Sequence, residues 1–326
     1  GGSGMRVSIG TFNVNNLFSR WNFQGEVDAF RDGDTELTTT LTFQLTQPDR
    51  FRLRTFQGRL VQGKPAEERA RVARRIIAMN ADVLALQEVE DIDTLRRFVS
   101  EDLGRHYPHL VLVEGNDPRL IDVALLSKLP IGAVVTWQHA THPLAPNQPV
   151  FGSDLLEVEI LNPTRRRKLF TIFNNHLKSH FVPFDEDPEL GAQRANERRR
   201  RQAETVARIV AARTRPNSRY AVLGDLNDPP GTQALAPFGA SGLRLHNALA
   251  DPEETRPAKA DTPAPASKAW THRFKPSGQP AEYELYDQIW LSPALAERAR
   301  RAVIDRRTRH GGDGSDHDPA WVEVEL

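Results

Sequence analysis

Acidic, amide and imidazole side chains stand at the ends of several short apolar segments of the 326-residue chain. In chain order they are Asn13, Asn15, Glu88, His176, Asp225, Asn227, Asp287, Asp316 and His317. Ligand sites in sheet proteins gather at strand ends, where a rigid scaffold presents side chains to a crevice. Buried carboxylates without partners are costly, so several that converge imply a bound cation or one another. Oxygen-rich ligands of this kind suit a hard divalent ion such as Mg²⁺ or Mn²⁺ rather than zinc.

Each of these residues, taken alone, also has an ordinary structural explanation. Glu88 fits a solvated acid at a strand end, since acids are mostly exposed. Asp225 and Asn227 fit an Asx turn that leads into "DPPG". Asp316 fits an acid of a glycine-rich loop, and His176 and His317 fit packed histidines. Only the recurrence of such residues at one strand end after another favours a catalytic set.

The segments that would position these side chains are of strand length and rich in Val, Ile, Leu and Phe. They are "RVSIGTFNV", "ADVLALQEV", "DVALLS", "LFTIFNNHL", "YAVLGDLN", "DQIWLS" and "PAWVEVEL". Helices are predicted between them, at 65–79, where proline and acids come first and arginines later, and at about 192–213. This alternation predicts one layered α/β domain over 5–326, preceded by a cloning remnant, "GGSG", at 1–4.

Two segments interrupt the alternation. Residues 21–64 are too many for an ordinary strand-to-helix loop, and their alternating polar and apolar pieces predict an inserted hairpin or small sheet. Residues 251–267 are rich in proline and alanine and predict a surface loop.

Composition excludes several classes of protein. Formal net charge is +0, so a nucleic-acid or phosphate site must come from local basic patches. The chain has no cysteine, which excludes disulfides, thiolate catalysis and cysteine-bound zinc. No apolar run reaches the roughly 18 residues of a membrane span. A cytoplasmic, monomeric enzyme is therefore expected, or a secreted one if a leader once preceded Met5.

Six ordered blocks resemble the endonuclease/exonuclease/phosphatase (DNase I-like) superfamily. They are "TFNVNNL", "LALQEVED", "NNHLKS", "GDLNDPP", "YDQIWLS" and "GSDHDP", and they span Thr11 to Pro319. The resemblance implies a four-layer α/β sandwich, in which two packed mixed β-sheets are flanked by helices and the site lies at one end. It also implies a hydrolase that acts on phosphate esters with Mg²⁺ or Mn²⁺ as its cofactor.

The resemblance also implies a division of roles. Glu88 would be the main metal ligand, supported by Asn13 or Asn15 and by Asp316. His317 would be the general base or a phosphate contact, held by Asp287. Asp225 would orient or deprotonate the water, and Asn227 and His176 would donate to phosphate oxygens. The choice of base between Asp225 and His317 stays open, as does the number of metal ions.

Departures from the family's branches narrow the comparison. Abasic-site endonucleases carry an acid where this chain has Asn15, and a tyrosine-bearing strand where it has "NNHLKS". The histidine block is closer to deoxyribonucleases and sphingomyelinases. Inositol phosphatases usually show a cysteine-containing block near Asp287, which this chain lacks.

Local basic density is the substrate signal in the sequence. Arginines interleaved with aromatic residues in the insertion suit phosphate contacts and base stacking, so Arg52 and Arg54, with Lys178, are expected to bind substrate. The runs "RRRK" at 165–168 and "RRRR" at 198–201 fit solvated, ion-paired surfaces equally well. The first hypothesis is a nuclease acting on DNA or RNA by endo or exo cleavage. The alternatives are an enzyme for a small or lipid phosphate, and a binding module that has lost its chemistry.

Overall fold

A computed structural model describes residues 4–17, 47, 49, 51–54, 59–240, 242–258, 263–308 and 313–326, with the backbone alone at 51–54, 59–62 and 240. The strands, in chain order, are β1 (Arg6–Asn13), β2 (Phe51–Arg54), β3 (Arg59–Gln62), β4 (Val83–Val89), β5 (His109–Leu112), β6 (Asp122–Ser127), β7 (Ile131–Thr136), β8 (Thr141–His142), β9 (Ala145–Pro149), β10 (Leu155–Leu161), β11 (Lys168–His176), β12 (Tyr220–Asp225), β13 (His246–Asn247), β14 (Glu253–Glu254), β15 (His272–Phe274), β16 (Glu282–Glu284), β17 (Asp287–Leu291), β18 (Ala299–Ile304) and β19 (Ala320–Glu325). The helices are α1 (Ala66–Met79), α2 (Ile92–Glu101), α3 (Pro188–Arg213), α4 (Ala236–Ala240) and α5 (Pro293–Ala296).

Two large mixed sheets dominate the described chain. The first has seven strands in the order β14-β18-β19-β1-β4-β6-β5, and the second has six in the order β13-β17-β12-β11-β10-β7. In the first sheet β1 pairs parallel with β4 and antiparallel with β19. In the second, β11 and β12 are parallel and β17 is antiparallel to β12. The predicted mixed α/β class is confirmed.

The apolar side chains pack in three layers. They do so because successive side chains along a strand point to opposite faces of its sheet. Ile9 and Ala85 of the first sheet pack against Ile172 and Leu223 of the second in a buried core between the sheets. The opposite face of the first sheet packs on α1 and α2, and that of the second packs on α3 and α4. The result is the predicted four-layer sandwich, with helices outside two packed sheets.

A polar bridge crosses the core between the sheets. Gln87 of β4 donates from Nε2 to Oδ1 of Asn174 on β11 at 2.9 Å. The Asn174 Nδ2 group donates to the carbonyls of Leu86 at 3.1 Å and Ala124 at 2.8 Å, both in the first sheet. Because these buried amides find partners only when the sheets are in register, they set the position of one sheet against the other.

Most predicted elements agree with the structure, and the differences have local causes. Helix α3 begins at Pro188 rather than near residue 192, because Asp187 caps it by accepting from the Leu190 N–H at 2.9 Å. Helix α2 was not predicted, and Asp91 caps it in the same way through the Thr94 N–H at 2.8 Å. The predicted 251–267 loop contains β14, which pairs with β18.

The insertion predicted at about 21–64 falls mostly outside the described residues. Its backbone at 51–54 and 59–62 forms the antiparallel pair β2–β3. In the described part of the chain, no helix combines the length and the apolar character needed to cross a bilayer.

Candidate active site

Glu88 projects from a bulge near the end of β4. Its backbone adopts φ 64°, and the pairing with β6 shifts register between Leu86 and Val89. Such a conformation costs a residue with a Cβ about 1–3 kcal/mol and is found chiefly where function requires it. A bulge re-aims the side chain it carries. Here the carboxylate is fixed by the Asn16 N–H, which donates to Oε2 at 2.8 Å.

Asn13, the last residue of β1, joins the two sheets at the site. Its Nδ2 group donates to Asp225 Oδ2 at 2.8 Å and to Glu88 Oε1 at 3.3 Å. Its Oδ1 accepts from the Asn15 N–H at 2.9 Å. In this orientation the Asn13 Nδ2 group donates to both carboxylates, whereas its Oδ1 atom accepts from the Asn15 N–H instead of facing the site. The Asn15 side chain, by contrast, makes no hydrogen bond with any described residue.

Three site residues form one row across the second sheet. His176, Asp225 and Asp287 are cross-strand neighbours on β11, β12 and β17. The His176 Nε2 atom lies 3.7 Å from both Glu88 Oε1 and Asp225 Oδ2. Gly224 permits this close pairing, because a Cβ there would lie 2.0 Å from the Asn175 carbonyl oxygen. The row thus faces Glu88 of the first sheet.

His317 is held against this row by a buried carboxylate. Its Nδ1 atom lies 2.7 Å from Asp287 Oδ2, and its Nε2 atom lies 3.8 Å from Asp225 Oδ2. Burial alone would lower the pKa of His317, but the Asp287 and Asp225 carboxylates raise it well above its usual value. Burial raises the pKa of Asp225, and Asp287 raises it further against the opposing charge of His317. An imidazole held in this way is arranged to take up a proton at Nε2.

Asn227 and the loop after β12 complete this side of the site. The Asn227 N–H donates to Asp225 Oδ1 at 3.0 Å, which is the Asx turn that the sequence allowed as an alternative. Its Nδ2 group donates to the Leu177 carbonyl at 2.8 Å, so one amide hydrogen is committed to the loop. Asn227 therefore ties the ends of β11 and β12 together beside Asp225.

Asp316 also lies near the Nε2 atom of His317, with its Oδ1 at 3.9 Å, and its side chain is about half exposed, at 51%. His272, which the sequence did not single out, places Nε2 3.5 Å from Asp316 Oδ2, and its ring centroid is 4.9 Å from that of His317. Partial burial alone would raise the pKa of Asp316, but the neighbouring His272 and His317 lower it below its usual value. Asp316 is therefore an anion at the mouth of the site.

Lys64 is a second residue with a site role that the sequence did not assign. It is only 5% exposed, and its Nζ atom donates to the Asn15 carbonyl at 2.7 Å and pairs with Glu68 at 3.6 Å. Burial lowers its pKa, while the charges of Glu68, Glu88 and Asp316 oppose that change. Lys64 thus fixes the backbone that follows β1 and stands near two carboxylates.

The expected substrate contacts are only partly described. The side chains of Arg52 and Arg54 lie outside the described residues. Lys178 lies two residues after His176, and its Nζ atom donates to the carbonyls of Ser179 at 2.9 Å and Phe181 at 3.0 Å. Its ammonium group therefore keeps one hydrogen for a further partner.

A buried ionic cluster anchors the segment 313–319, which carries Asp316 and His317 and leads into β19. Asp318 is 0% exposed and accepts from Arg75 at 3.0 Å, Arg307 at 2.9 Å and Arg306 at 3.2 Å. Ser315 adds a second anchor, since its Oγ donates to the Asn13 carbonyl at 2.6 Å and accepts from the His317 N–H at 3.1 Å. These contacts fix Ser315 and Asp318, the residues on either side of Asp316 and His317, and so position both side chains.

Replacing Asp318 with asparagine is expected to lower the free energy of unfolding by about 3 kcal/mol, because three buried guanidinium groups lose their shared anion. Burial alone would raise the pKa of Asp318, but the charges of the three arginines lower it below its usual value. The ionised carboxylate therefore stabilises the fold at pH values above its unfolded-state pKa, and this stabilisation is lost in acid as the group becomes protonated. Denaturant titration of Asp318→Asn beside the exposed control Asp251→Asn measures the loss. Equal stability of the two variants would contradict the anchoring role.

The donor set fits a divalent cation. Asp225, Asp287 and His317 place one ligand atom each within 4.8 Å of one another, as do His272, Asp316 and His317. Asp287 Oδ1 is buried and has no hydrogen-bond partner in the described chain. Four carboxylates converge on this end of the sandwich, and a hard cation would offset their repulsion. Glu88 and Asn15 belong to neither group, so their expected role as metal ligands stays a prediction, as does that of Asp316.

A four-layer sandwich with these residues at one end defines the class of phosphoester hydrolases that the sequence resembled. The family model described as "Endonuclease/Exonuclease/phosphatase family" matches residues 10–317, and the chain belongs to this family. The family is one of metal-dependent phosphoesterases. No curated protein sequence matches the chain.

Solved structures share the fold at low sequence identity. The human Nocturnin catalytic domain is 15% identical, with 98% of this chain and 93% of that chain covered and a TM-score of 0.58. A mannosyl-6-phosphatase from Bacteroides thetaiotaomicron is 15% identical over 98% and 100%, with a TM-score of 0.56. Truncated TDP2 from Caenorhabditis elegans is 16% identical over 98% of each chain, with a TM-score of 0.53. At these identities the likeness establishes the fold alone.

Proposed function

We propose that this protein is a divalent-metal-dependent phosphodiesterase and that its substrate is a nucleic acid, DNA or RNA. The observation that carries the proposal is the Asp287–His317 pair at 2.7 Å, which faces Asp225 on one sheet with Glu88 across from it on the other. This arrangement holds a base, a water-orienting carboxylate and a cation-binding carboxylate around one small volume.

The chain's own residues divide the work. Asp287 fixes the His317 tautomer, so that Nε2 is the atom that takes the proton of the attacking water. Asp225 orients that water, and His176, between Glu88 and Asp225, is placed to donate to a phosphate oxygen. When bound, Mg²⁺ or Mn²⁺ would supply Lewis-acid polarisation of the phosphate and charge neutralisation at the leaving oxygen. Glu88 and Asp316, with Asn15, would hold that ion.

Cationic side chains beside the site favour a polyanionic substrate. Arg119, on the loop between β5 and β6, is close enough to Glu88 for the carboxylate to raise its pKa, after the larger effect of its hydrogen bond to Asp117. Lys178 lies just after β11, and one hydrogen of its ammonium group is left for a substrate after its two bonds to backbone carbonyls. An arginine and a lysine beside the site suit the phosphates on either side of a scissile bond.

The alternative is a phosphatase for a small or lipid phosphate. It is favoured by the ion pairing of Arg200 and Arg201, which removes much of the "RRRR" run from phosphate binding. One of the structural neighbours is also named a sugar phosphatase.

A substrate panel with the metal-stripped protein tests the proposal. With Mg²⁺ or Mn²⁺ added, we expect cleavage of single-stranded or double-stranded DNA or of RNA, and little release of phosphate from a sugar phosphomonoester or of headgroup from a phospholipid diester. Chelator should abolish the activity. Faster turnover of the monoester or the lipid, or activity indifferent to chelator, would contradict the proposal.

A further inference from the structure

The arginine run 198–201 separates into different roles on α3. Arg199 is 0% exposed, pairs with Asp228 at 3.0 Å and donates to the Lys178 carbonyl at 2.7 Å. Arg200 and Arg201 share Glu197 at 2.8 and 2.9 Å. Arg198 is exposed and forms no ion pair with any residue the structure describes. The expected solvated, ion-paired surface therefore holds for two of the four arginines but not for Arg198.

Arg198 opens into a cavity of about 500 Å³ between the β8–β9 hairpin and the first half of α3, here called the α3 cavity. Besides His142, which pairs with Glu204 at 2.7 Å, its polar lining residues are Gln148, Gln193, Arg194, Glu197, Arg198 and Arg201. Glu197 is already shared by two guanidinium groups, and Arg194 has only a 3.6 Å pair with Glu186 in which both side chains are exposed. The lining of the α3 cavity thus has more guanidinium groups than carboxylates, together with the side-chain amides of Gln148 and Gln193. These N–H groups can donate to an anion, so the lining suits an anion site.

The α3 cavity lies beside the segment that leaves the candidate active site. Arg199, the neighbour of Arg198 on α3, donates to the Lys178 carbonyl at 2.7 Å, and the Lys178 N–H donates to Oε1 of Gln202 on the same helix at 2.8 Å. Lys178 follows His176 by two residues. After the larger effect of burial, repulsion by Arg198 lowers the pKa of Lys178, which agrees with this proximity. Cationic side chains therefore extend from Lys178 to the α3 cavity.

We propose that the α3 cavity is a distal phosphate subsite, in which Arg198 and Arg194 bind a backbone phosphate of a polynucleotide strand whose scissile phosphate lies at Glu88 and His317. This inference rests on the proposed function and makes it more specific. A substrate with a single phosphate cannot occupy both sites, so binding should strengthen with strand length. Small diesters should depend on Arg198 less than a strand does.

Binding of a fluorescein-labelled single-stranded 12-mer, measured by fluorescence anisotropy in the uncleaving His317→Ala background, tests the subsite. Arg198→Glu should weaken binding at least tenfold, Arg194→Glu,Arg198→Glu should weaken it further, and the slope of log affinity against log salt should become shallower by about one for each lost phosphate contact. The matched control Arg208→Glu reverses an exposed arginine in the second half of the same helix and should leave affinity unchanged. Circular dichroism confirms that α3 folds in each variant.

Turnover of bis(4-nitrophenyl) phosphate, in proteins that retain His317, separates the two proposals. We expect Arg198→Glu to raise KM for the 12-mer at least tenfold more than it raises KM for this small diester, which carries a single phosphate. Equal 12-mer affinity in Arg198→Glu and Arg208→Glu, or no 12-mer binding at all, would overturn the subsite even where the small diester is hydrolysed. Failure of the native protein to hydrolyse any diester with metal would overturn the proposed function instead.

Discussion

Replacing Glu88 with glutamine is expected to lower turnover of a phosphodiester by about 10³-fold, equivalent to about 4 kcal/mol of transition-state stabilisation. The substitution keeps the shape and the backbone strain of the bulge but removes the negative charge that would hold the cation. Calorimetric titration with Mn²⁺ gives a readout independent of turnover, and we expect affinity to fall by roughly 100-fold or more.

Glu101→Gln, on the exposed end of α2, is the matched control, because it makes the same chemical change at a residue whose one ion pair within the described chain is with the surface residue Arg97, at 2.8 Å. It should alter neither turnover nor Mn²⁺ affinity. A Glu88→Gln protein that binds Mn²⁺ as tightly as the native protein would show that the cation is held elsewhere, most simply by Asp316 and His272.

Replacing His317 with alanine is expected to lower turnover by about 10³- to 10⁴-fold, since the loss removes the group that accepts the proton of the water. His106→Ala, an exposed histidine before β5, is the control and should be silent. Retention of near-native turnover by His317→Ala would exclude His317 as the base and leave that role to Asp225.

The pH profile distinguishes a base from a residue that only contacts phosphate. A base must be neutral, so turnover should rise with pH through the pKa of His317, which the carboxylates place well above its usual value of 6.5. Asp287→Asn removes one of these carboxylates, so the rising limb should move to lower pH as turnover falls. A limb that stays in place in Asp287→Asn would contradict this pairing.

The residue pattern predicted a layered α/β domain, and the resemblance of its six blocks to a family implied the four-layer sandwich. Strand ends such as those at Asn13 and Asp225 carry polar side chains directly after apolar segments, so both the strand and the site residue are visible in one short pattern. The pattern does not reveal which strands are neighbours, so the row of His176, Asp225 and Asp287 became visible only in the structure.

The residues that the sequence did not reveal act through distant partners. His272 lies on a short strand with no apolar pattern, and 43 residues lie between it and Asp316 in the sequence. Lys64 was one of the basic residues of the insertion that the sequence associated with substrate, and its burial against the Asn15 carbonyl could not be predicted. The Glu88 bulge was equally hidden, because "VLALQEV" reads as a regular strand and the positive φ arises only from pairing with β6.

The place of β1 in the first sheet has a consequence for biosynthesis. This strand lies between β4 and β19, so its partner on one side is about 310 residues further along the chain. A nascent chain therefore cannot complete the centre of this sheet, or bring His317 to Asp287, until residues 317–325 have left the ribosome. A chain that stops before residue 317 would thus keep the Glu88, Asp225 and Asp287 carboxylates but lack the imidazole that contacts Asp287.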